Sequence, residues 1–94
     1  MDNKNSIAEN LIKARVAILL NQPYLSKLKY FKIVVPPLVI VEMDEAEIVA
    51  TQNGDQILLN IATMKNMSNA QIDAVIMHEI YHAAASQVAK RKTG

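Results

Sequence analysis

The pattern of apolar positions near the start of the chain is that of a helix. Apolar side chains recur every three or four residues, which gives a wide stripe formed by Ile7, Leu11, Ala14 and Ile18, with Ile12, Val16 and Leu19 beside them. Ser6 and Glu9 match a capping box, and Pro23 ends the helical pattern. We therefore predict a helix over residues 6–21 whose cations, Arg15 among them, lie on its solvated side.

The middle of the chain consists of short β-branched runs separated by turn residues, a pattern typical of strands. Residues 33–35 form one candidate strand, which the two prolines that follow must end. Residues 38–43 form a second β-rich run, which we expect to join the sheet as a third strand beside a hairpin. We predict a sheet of three or four strands, mostly antiparallel.

The hairpin is predicted from Asn53-Gly54, a residue pair that favours a two-residue type I′ turn. The β-branched and aliphatic runs on either side of this pair are expected to form antiparallel strands. Pairing around the turn places Ala50 opposite Ile57, and Ile48 opposite Leu59.

The last third of the chain is predicted to be a long helix. Ser68 and Gln71 match a second capping box, and Lys90-Arg91-Lys92 supplies the positive charge that suits a helix C-terminus. Apolar residues lie nearly all round the helix, so we expect a central helix over residues 68–90 that is packed on most sides. The exception is one polar slot, which holds His78, Glu79 and His82.

Composition restricts what this fold can be and what it can bind. The chain has 94 residues, enough for one small domain, and its 51% of hydrophobic residues include one Phe and no Trp, so the core must be aliphatic. Without cysteine, a metal would have to be held by His, Asp, Glu and water. The net charge of +1, the polar N-terminus without a signal-peptide pattern and the lack of a long apolar run predict a cytoplasmic protein with no nucleic-acid and no membrane partner.

One cluster departs from this balanced charge. It interleaves cations with aromatic residues, a combination that can bind nucleic acid, and consists of Lys27, Lys29 and Lys32 with Tyr30 and Phe31. Three lysines without a glycine-rich platform point only weakly to such a site, so we do not favour it. We expect a short helical turn here, opened by Ser26, that points Leu28 and Phe31 inward.

The polar slot contains the pattern His-Glu-x-x-His, at residues 78–82. Histidines four apart share a helix face and can grip one metal ion, typically zinc, so His78 and His82 are candidate ligands. Glu79 lies at the rim of that face, where a carboxylate can take a proton from metal-bound water. We favour this general-base role over a mere surface carboxylate, and a zinc site over a chance match on a buried helix. Tyr81 is predicted to be a core or rim aromatic rather than an oxyanion donor.

A hydrolytic zinc site usually has a third protein ligand. Only twelve residues follow His82, and they include no His, Asp or Glu. The third ligand could come from upstream, from a second copy, from solvent, or from a chain that was truncated after this helix. Asp73 points away from the histidines and is expected to be a surface carboxylate or a helix N-terminal charge. The upstream candidates are Glu42, Asp44, Glu45, Glu47 and Asp55.

In its order of helix, small sheet, polar connection and motif-bearing helix, the chain resembles the zincin metallopeptidases. It is similar in particular to the metallopeptidase-like domain that precedes a von Willebrand A-like domain in some bacterial proteins. In that family the helix continues with a further His and an Arg, near whose positions this chain has Gln87 and Lys90 or Arg91. The resemblance is carried by Ala14-Arg15, Gln22-Pro23-Tyr24-Leu25, Thr51-x-Asn53-Gly54, Ile57-x-Leu59-Asn60 and His78-Glu79-Ile80-Tyr81-His82-Ala83-Ala84.

The resemblance implies an α+β fold with a minimal zincin-like core: an N-terminal backing helix, a small mostly antiparallel sheet and a C-terminal active-site helix, in a single domain of residues 1–94. In zincins a strand near the active-site helix lines the substrate cleft and pairs with the peptide. The implied function is a zinc-dependent metallopeptidase, with Zn²⁺ at His78 and His82, Glu79 as base and a peptide or protein as substrate. The alternative is a catalytically inactive fragment or interaction module. A third class is a small protein that buries its apolar excess in a homo-oligomer.

Overall fold

The structure is a computed structural model and describes residues 3–45, 47–53 and 55–93. Within these residues the fold is α+β, as predicted. In chain order the elements are α1 (Asn3–Leu20), α2 (Ser26–Tyr30), β1 (Leu38–Val41), β2 (Ala50–Gln52), β3 (Ile57–Asn60), α3 (Ile61–Met64) and α4 (Asn69–Thr93). A 3-10 turn, Pro23–Leu25, leads into α2. None of the described helices combines the length and the hydropathy needed to cross a bilayer.

The sheet is mixed, and the prediction of a mostly antiparallel sheet is wrong. Its strand order is β1-β3-β2, with β1 parallel and β2 antiparallel to β3. In chain order β1 is followed by β2 at the opposite edge, and the hairpin then places β3 in the middle. Ile57 and Leu59 on β3 are fully buried, as befits the central strand. Among the described strands, β2 is therefore left at an edge.

The hairpin around Asn53 is confirmed, but its register differs from the prediction. Ala50 lies opposite Leu59 rather than Ile57. The pairing is shifted by two residues because the loop is longer than a two-residue turn. The Oδ1 atom of Asn53 organises this loop by accepting hydrogen bonds from the backbone N–H groups of Asp55, at 3.1 Å, and Gln56, at 2.8 Å. Gly54, and with it the predicted turn type, lies outside the described residues.

Residues 33–35 do not form the predicted strand. The backbone N–H of Val34 donates to Oε1 of Gln87 at 2.9 Å, and its carbonyl accepts from Nε2 of the same side chain at 2.6 Å. This side-chain amide on α4 takes the place of a neighbouring strand, because it offers one acceptor and one donor in the same way as a peptide group. The segment is thereby fixed to the C-terminal half of α4.

α1 begins at Asn3, so Ser6 and Glu9 lie inside the helix and not, as was predicted, in a capping box at its start. The helix buries only part of the predicted apolar stripe. The buried arc is formed by Ala8, Ile12 and Leu19. Ile7 is 69% exposed and Ile18 46% exposed, although both belong to the predicted apolar stripe. The stripe is wide enough to cover two arcs of the helix, and the rest of the described chain covers only the arc that contains Ile12.

α4 begins with the predicted capping box. The N–H of Ser68 donates to Oε1 of Gln71 at 2.9 Å, and the N–H of Gln71 donates to Oγ of Ser68 at 3.2 Å. The helix is not packed on most sides as expected, because a sheet of three short strands cannot surround 25 helical residues. Tyr81 is 55% exposed. The buried face consists of Ile72, Ile76, Ile80, Ala83 and Ala84.

An ion pair joins the two long helices, where the sequence had predicted a solvated Arg15 and a lone surface Asp73. Nε of Arg15 donates to Oδ1 of Asp73 at 2.7 Å, and Nη2 donates to Oδ2 at 2.5 Å. Both side chains are about one-quarter exposed, at 24% and 27%. Two parallel hydrogen bonds of this kind fix the relative orientation of the groups as well as attracting them. The pair therefore sets how α1 lies against the first turns of α4.

Replacing Asp73 by Asn should lower the free energy of unfolding at neutral pH, and this loss should vanish in acid. Hydrogen bonds from Arg15, assisted by its charge, lower the pKa of the Asp73 carboxyl in the folded chain and outweigh the opposing effect of partial burial. The pair stabilises the fold above the carboxyl's pKa in the unfolded chain, and the stabilisation is lost as pH falls through the lowered folded value. Denaturant unfolding of both proteins from neutral pH to about pH 2 measures this, and a pH-independent difference would contradict it.

Candidate metal centre

His78 and His82 lie one turn apart on the exposed side of α4, as their spacing predicts. Their ring centroids are 4.5 Å apart, and the ring planes are inclined by 64°. Two nitrogens that share a zinc ion at about 2.1 Å with a tetrahedral angle are about 3.4 Å apart, a spacing that imidazoles at this separation can reach. Because both side chains are exposed, an ion can approach them without displacing the core. The pair therefore fits two positions of a zinc site.

Glu79 projects from α4 and is half-buried beside the edge strand β2. Nε2 of Gln52, the last residue of β2, donates to Oε1 of Glu79 at 3.1 Å and to its backbone carbonyl at 2.9 Å. The amide thus holds the carboxylate in one orientation, and a carboxylate with one such partner keeps acceptor sites for water. No local pattern in the sequence marks Gln52, because only the fold brings it to Glu79.

Two hollows flank Glu79. The larger, of about 650 Å³, runs along β2 and the residues before it, and its lining includes His78, Glu79 and Glu47. The smaller, of about 310 Å³, is lined by Gln52, Glu79, His82 and Ser86. Each histidine thus opens onto one hollow, and Glu79 borders both. This arrangement places a carboxylate between two accessible spaces and beside an edge strand.

No third ligand is found among the described residues. Across residues 3–45, 47–53 and 55–93, no three His, Asp or Glu side chains are grouped closely enough to hold one metal ion. Of the upstream candidates, Glu47 lines the larger hollow together with His78. The other candidates, which line neither hollow, are Glu42, Asp44, Glu45 and Asp55. The described residues could therefore supply two of the three protein ligands that a hydrolytic zinc site usually has.

Three further candidates are placed elsewhere by the fold. Asp73 is paired with Arg15, as described above. Tyr81 is exposed and lines neither hollow, which agrees with the choice of a rim aromatic over an oxyanion donor. Gln87 is hydrogen-bonded to Val34 through both ends of its amide.

Asn60 is the organising residue that the sequence did not reveal. It is fully buried, and its Oδ1 accepts from the N–H groups of Met43, at 3.0 Å, and Ala62, at 3.1 Å. Its Nδ2 donates to the carbonyl of Ile48 at 2.6 Å, and also reaches the carbonyl of Glu45 and the hydroxyl of Thr63. One side chain thus fixes both ends of the connection that borders the larger hollow. The stretch Ile57-x-Leu59-Asn60 had drawn attention to this residue, but no local pattern predicts that it organises the backbone around it.

The centre therefore combines two imidazoles and one oriented carboxylate, all on the well-capped helix α4, with the adjoining edge strand β2. Comparisons with known proteins add no independent assignment. No family model matches the chain, and no curated protein or solved structure is significantly similar to it.

Proposed function

We propose that the chain is a zinc-dependent metallopeptidase domain, in which His78 and His82 are two ligands of Zn²⁺ and Glu79 is the general base. The observation that carries this proposal is that both histidines and Glu79 open onto hollows beside the edge strand β2. A chance match to the motif requires none of these features. A zinc ion held there would act as a Lewis acid, polarising a peptide carbonyl and acidifying water.

The chain's own residues have separate tasks in this proposal. Glu79 accepts a proton at its carboxylate from the attacking water and returns a proton to the leaving amine. Gln52 is a positioning residue, because its amide hydrogen-bonds to Glu79 at 3.1 Å and limits the orientations of the carboxylate. Half-burial of Glu79 keeps it near the reacting groups without removing it from water.

The substrate would be an extended peptide bound along β2. An edge strand has backbone N–H and C=O groups available for a further strand, and an extended peptide can supply it. The larger hollow runs along this strand and reaches His78 and Glu79, so a peptide paired there would pass close to the proposed zinc. Its lining residues Ile48, Val49 and Ala50 favour apolar side chains in the peptide.

A second candidate is an inactive module that keeps the metallopeptidase fold and some metal affinity. The observation in its favour is that the described residues contain no group of three metal-binding side chains. Two imidazoles alone bind zinc more weakly than a complete ligand set. The two candidates share the zinc at His78 and His82 and differ in whether peptide bonds are cleaved.

Zinc titration of the purified chain tests the shared part of the proposal. The wild type is expected to bind one zinc ion per chain. His78→Ala should raise the dissociation constant for zinc by roughly 100-fold, because a single remaining imidazole cannot chelate the ion. His82→Ala should behave in the same way, and the double variant should be little weaker than either single one. Tyr81→Ala, at an exposed residue of the same helix that lines neither hollow, is the matched control. Equal zinc affinity in the wild type and both His variants would overturn the proposal.

A further inference from the structure

The charge of the chain is strongly segregated, although its net charge is only +1. No Asp or Glu lies in residues 10–41 or in residues 80–94. Six of the ten cations fall within these stretches in two short runs, residues 27–32 and residues 90–92. The whole-chain balance that predicted no charged partner therefore hides two runs that carry only positive charge.

The fold brings the two runs together at one end of the molecule. Nη1 of Arg91 donates to the carbonyl of Phe31 at 2.6 Å, and Nη2 donates to the carbonyl of Lys32. The amide of Gln87 adds its two hydrogen bonds to Val34. Because the guanidinium of Arg91 is bonded here to neutral carbonyls, these contacts do not cancel its charge.

Exposed apolar side chains lie among these cations. Tyr30 is 81% exposed, Phe31 58% and Val34 70%, although Phe31 was expected to point inward. The rings of Tyr30 and Phe31 are in edge-to-face contact, with centroids 5.1 Å apart. We call residues 27–34 together with Arg91 the basic-aromatic surface. Three large apolar side chains this exposed within five residues are unusual for a surface that meets only water.

We infer that the basic-aromatic surface binds an anionic phospholipid membrane. Lys27, Lys29, Lys32 and Arg91 attract the negative headgroups, while aromatic and aliphatic side chains enter the boundary between headgroups and acyl chains. Single-stranded nucleic acid would also be attracted by the cations, but it binds by stacking successive bases on aromatic rings. Here the two rings are inclined by 88° and do not form a common platform for successive bases, and the third exposed side chain, Val34, is aliphatic, so the observations favour lipid.

Vesicle co-sedimentation of the full chain tests this inference, which does not depend on zinc. We expect binding to phosphatidylcholine vesicles that contain about 30% phosphatidylserine and at least tenfold weaker binding to pure phosphatidylcholine. The triple variant Lys27→Ser/Lys29→Ser/Lys32→Ser should lose binding by on the order of 100-fold, and Phe31→Ser by on the order of tenfold. The double variant Lys27→Ser/Lys29→Ser has the matched control Lys13→Ser/Lys65→Ser, which removes the same number of cations outside the surface. Thermal unfolding of each variant checks that it is folded.

Three results would overturn the inference. The first is equal binding to neutral and anionic vesicles. The second is an equal loss in Lys13→Ser/Lys65→Ser and in Lys27→Ser/Lys29→Ser, which would show that only overall charge matters. The third is that the chain binds a mixed-sequence single-stranded oligonucleotide but neither kind of vesicle, which would assign the surface to nucleic acid instead.

Discussion

Glu79→Gln is expected to reduce hydrolysis of an unfolded protein substrate by at least about 100-fold in kcat while leaving zinc affinity nearly unchanged. Gln has almost the same size and can still hydrogen-bond to Gln52, but it cannot accept a proton from water. The zinc ligands are different residues, so binding of the ion should survive. Zinc-loaded wild type and variant, purified in parallel, are compared by the rate at which peptide fragments appear.

The same assay separates the two candidate functions. Equal cleavage by wild type and Glu79→Gln would identify a contaminating peptidase and contradict the assigned role of Glu79. Zinc binding without any cleavage by the wild type would favour the inactive module. Gln52→Ala is an informative companion, because a positioning residue should lower kcat while leaving the zinc dissociation constant unchanged.

Asn60→Ala is expected to lower the free energy of unfolding by about 3 kcal/mol. Its fully buried side chain bonds to backbone groups on both sides, so truncation leaves the N–H groups of Met43 and Ala62 without this acceptor. The carbonyl of Ile48 loses its 2.6 Å bond from Asn60 and keeps the bond from the hydroxyl of Thr63. The connection along the larger hollow should loosen first, because these bonds fix its two ends. Urea unfolding measures the loss, and amide hydrogen exchange locates it.

Two further variants sharpen the Asn60 result. Asn60→Asp preserves shape and one acceptor but cannot donate to the carbonyl of Ile48, so it should also destabilise the fold at neutral pH. Asn66→Ala, at an exposed asparagine in the following loop, is the matched control and should change stability by less than about 0.5 kcal/mol. A loss below about 1 kcal/mol for Asn60→Ala would contradict the proposed organising role.

Local features were predictable from the sequence because neighbouring residues determine them. The capping box of Ser68 and Gln71 was found because its two partners are three residues apart. The placement of His78 and His82 on one face follows from helix geometry alone. The antiparallel hairpin was predicted for the same reason, while its register depended on how Asn53 closes the loop.

Features that depend on distant residues were missed. The parallel pairing of β1 with β3 needs a chain path that no local pattern specifies. The apolar stripe of α1 was wide enough for two arcs, and only packing selects the one that contains Ile12. The partners of Glu79 and Arg15 lie 27 and 58 residues away in the chain, so no local pattern could reveal either contact, and Arg15 was predicted to be solvated.

X-ray absorption at the zinc edge of the one-to-one zinc complex tests the central claim most directly, because it reports which atoms bind the ion. The proposal predicts a nitrogen and oxygen shell at about 2.0–2.1 Å with the outer-shell scattering of two imidazoles, and of one imidazole in His78→Ala. A zinc shell without imidazole scattering in the wild type, or one unchanged in His78→Ala, would contradict the assignment of His78 and His82 as a metal centre.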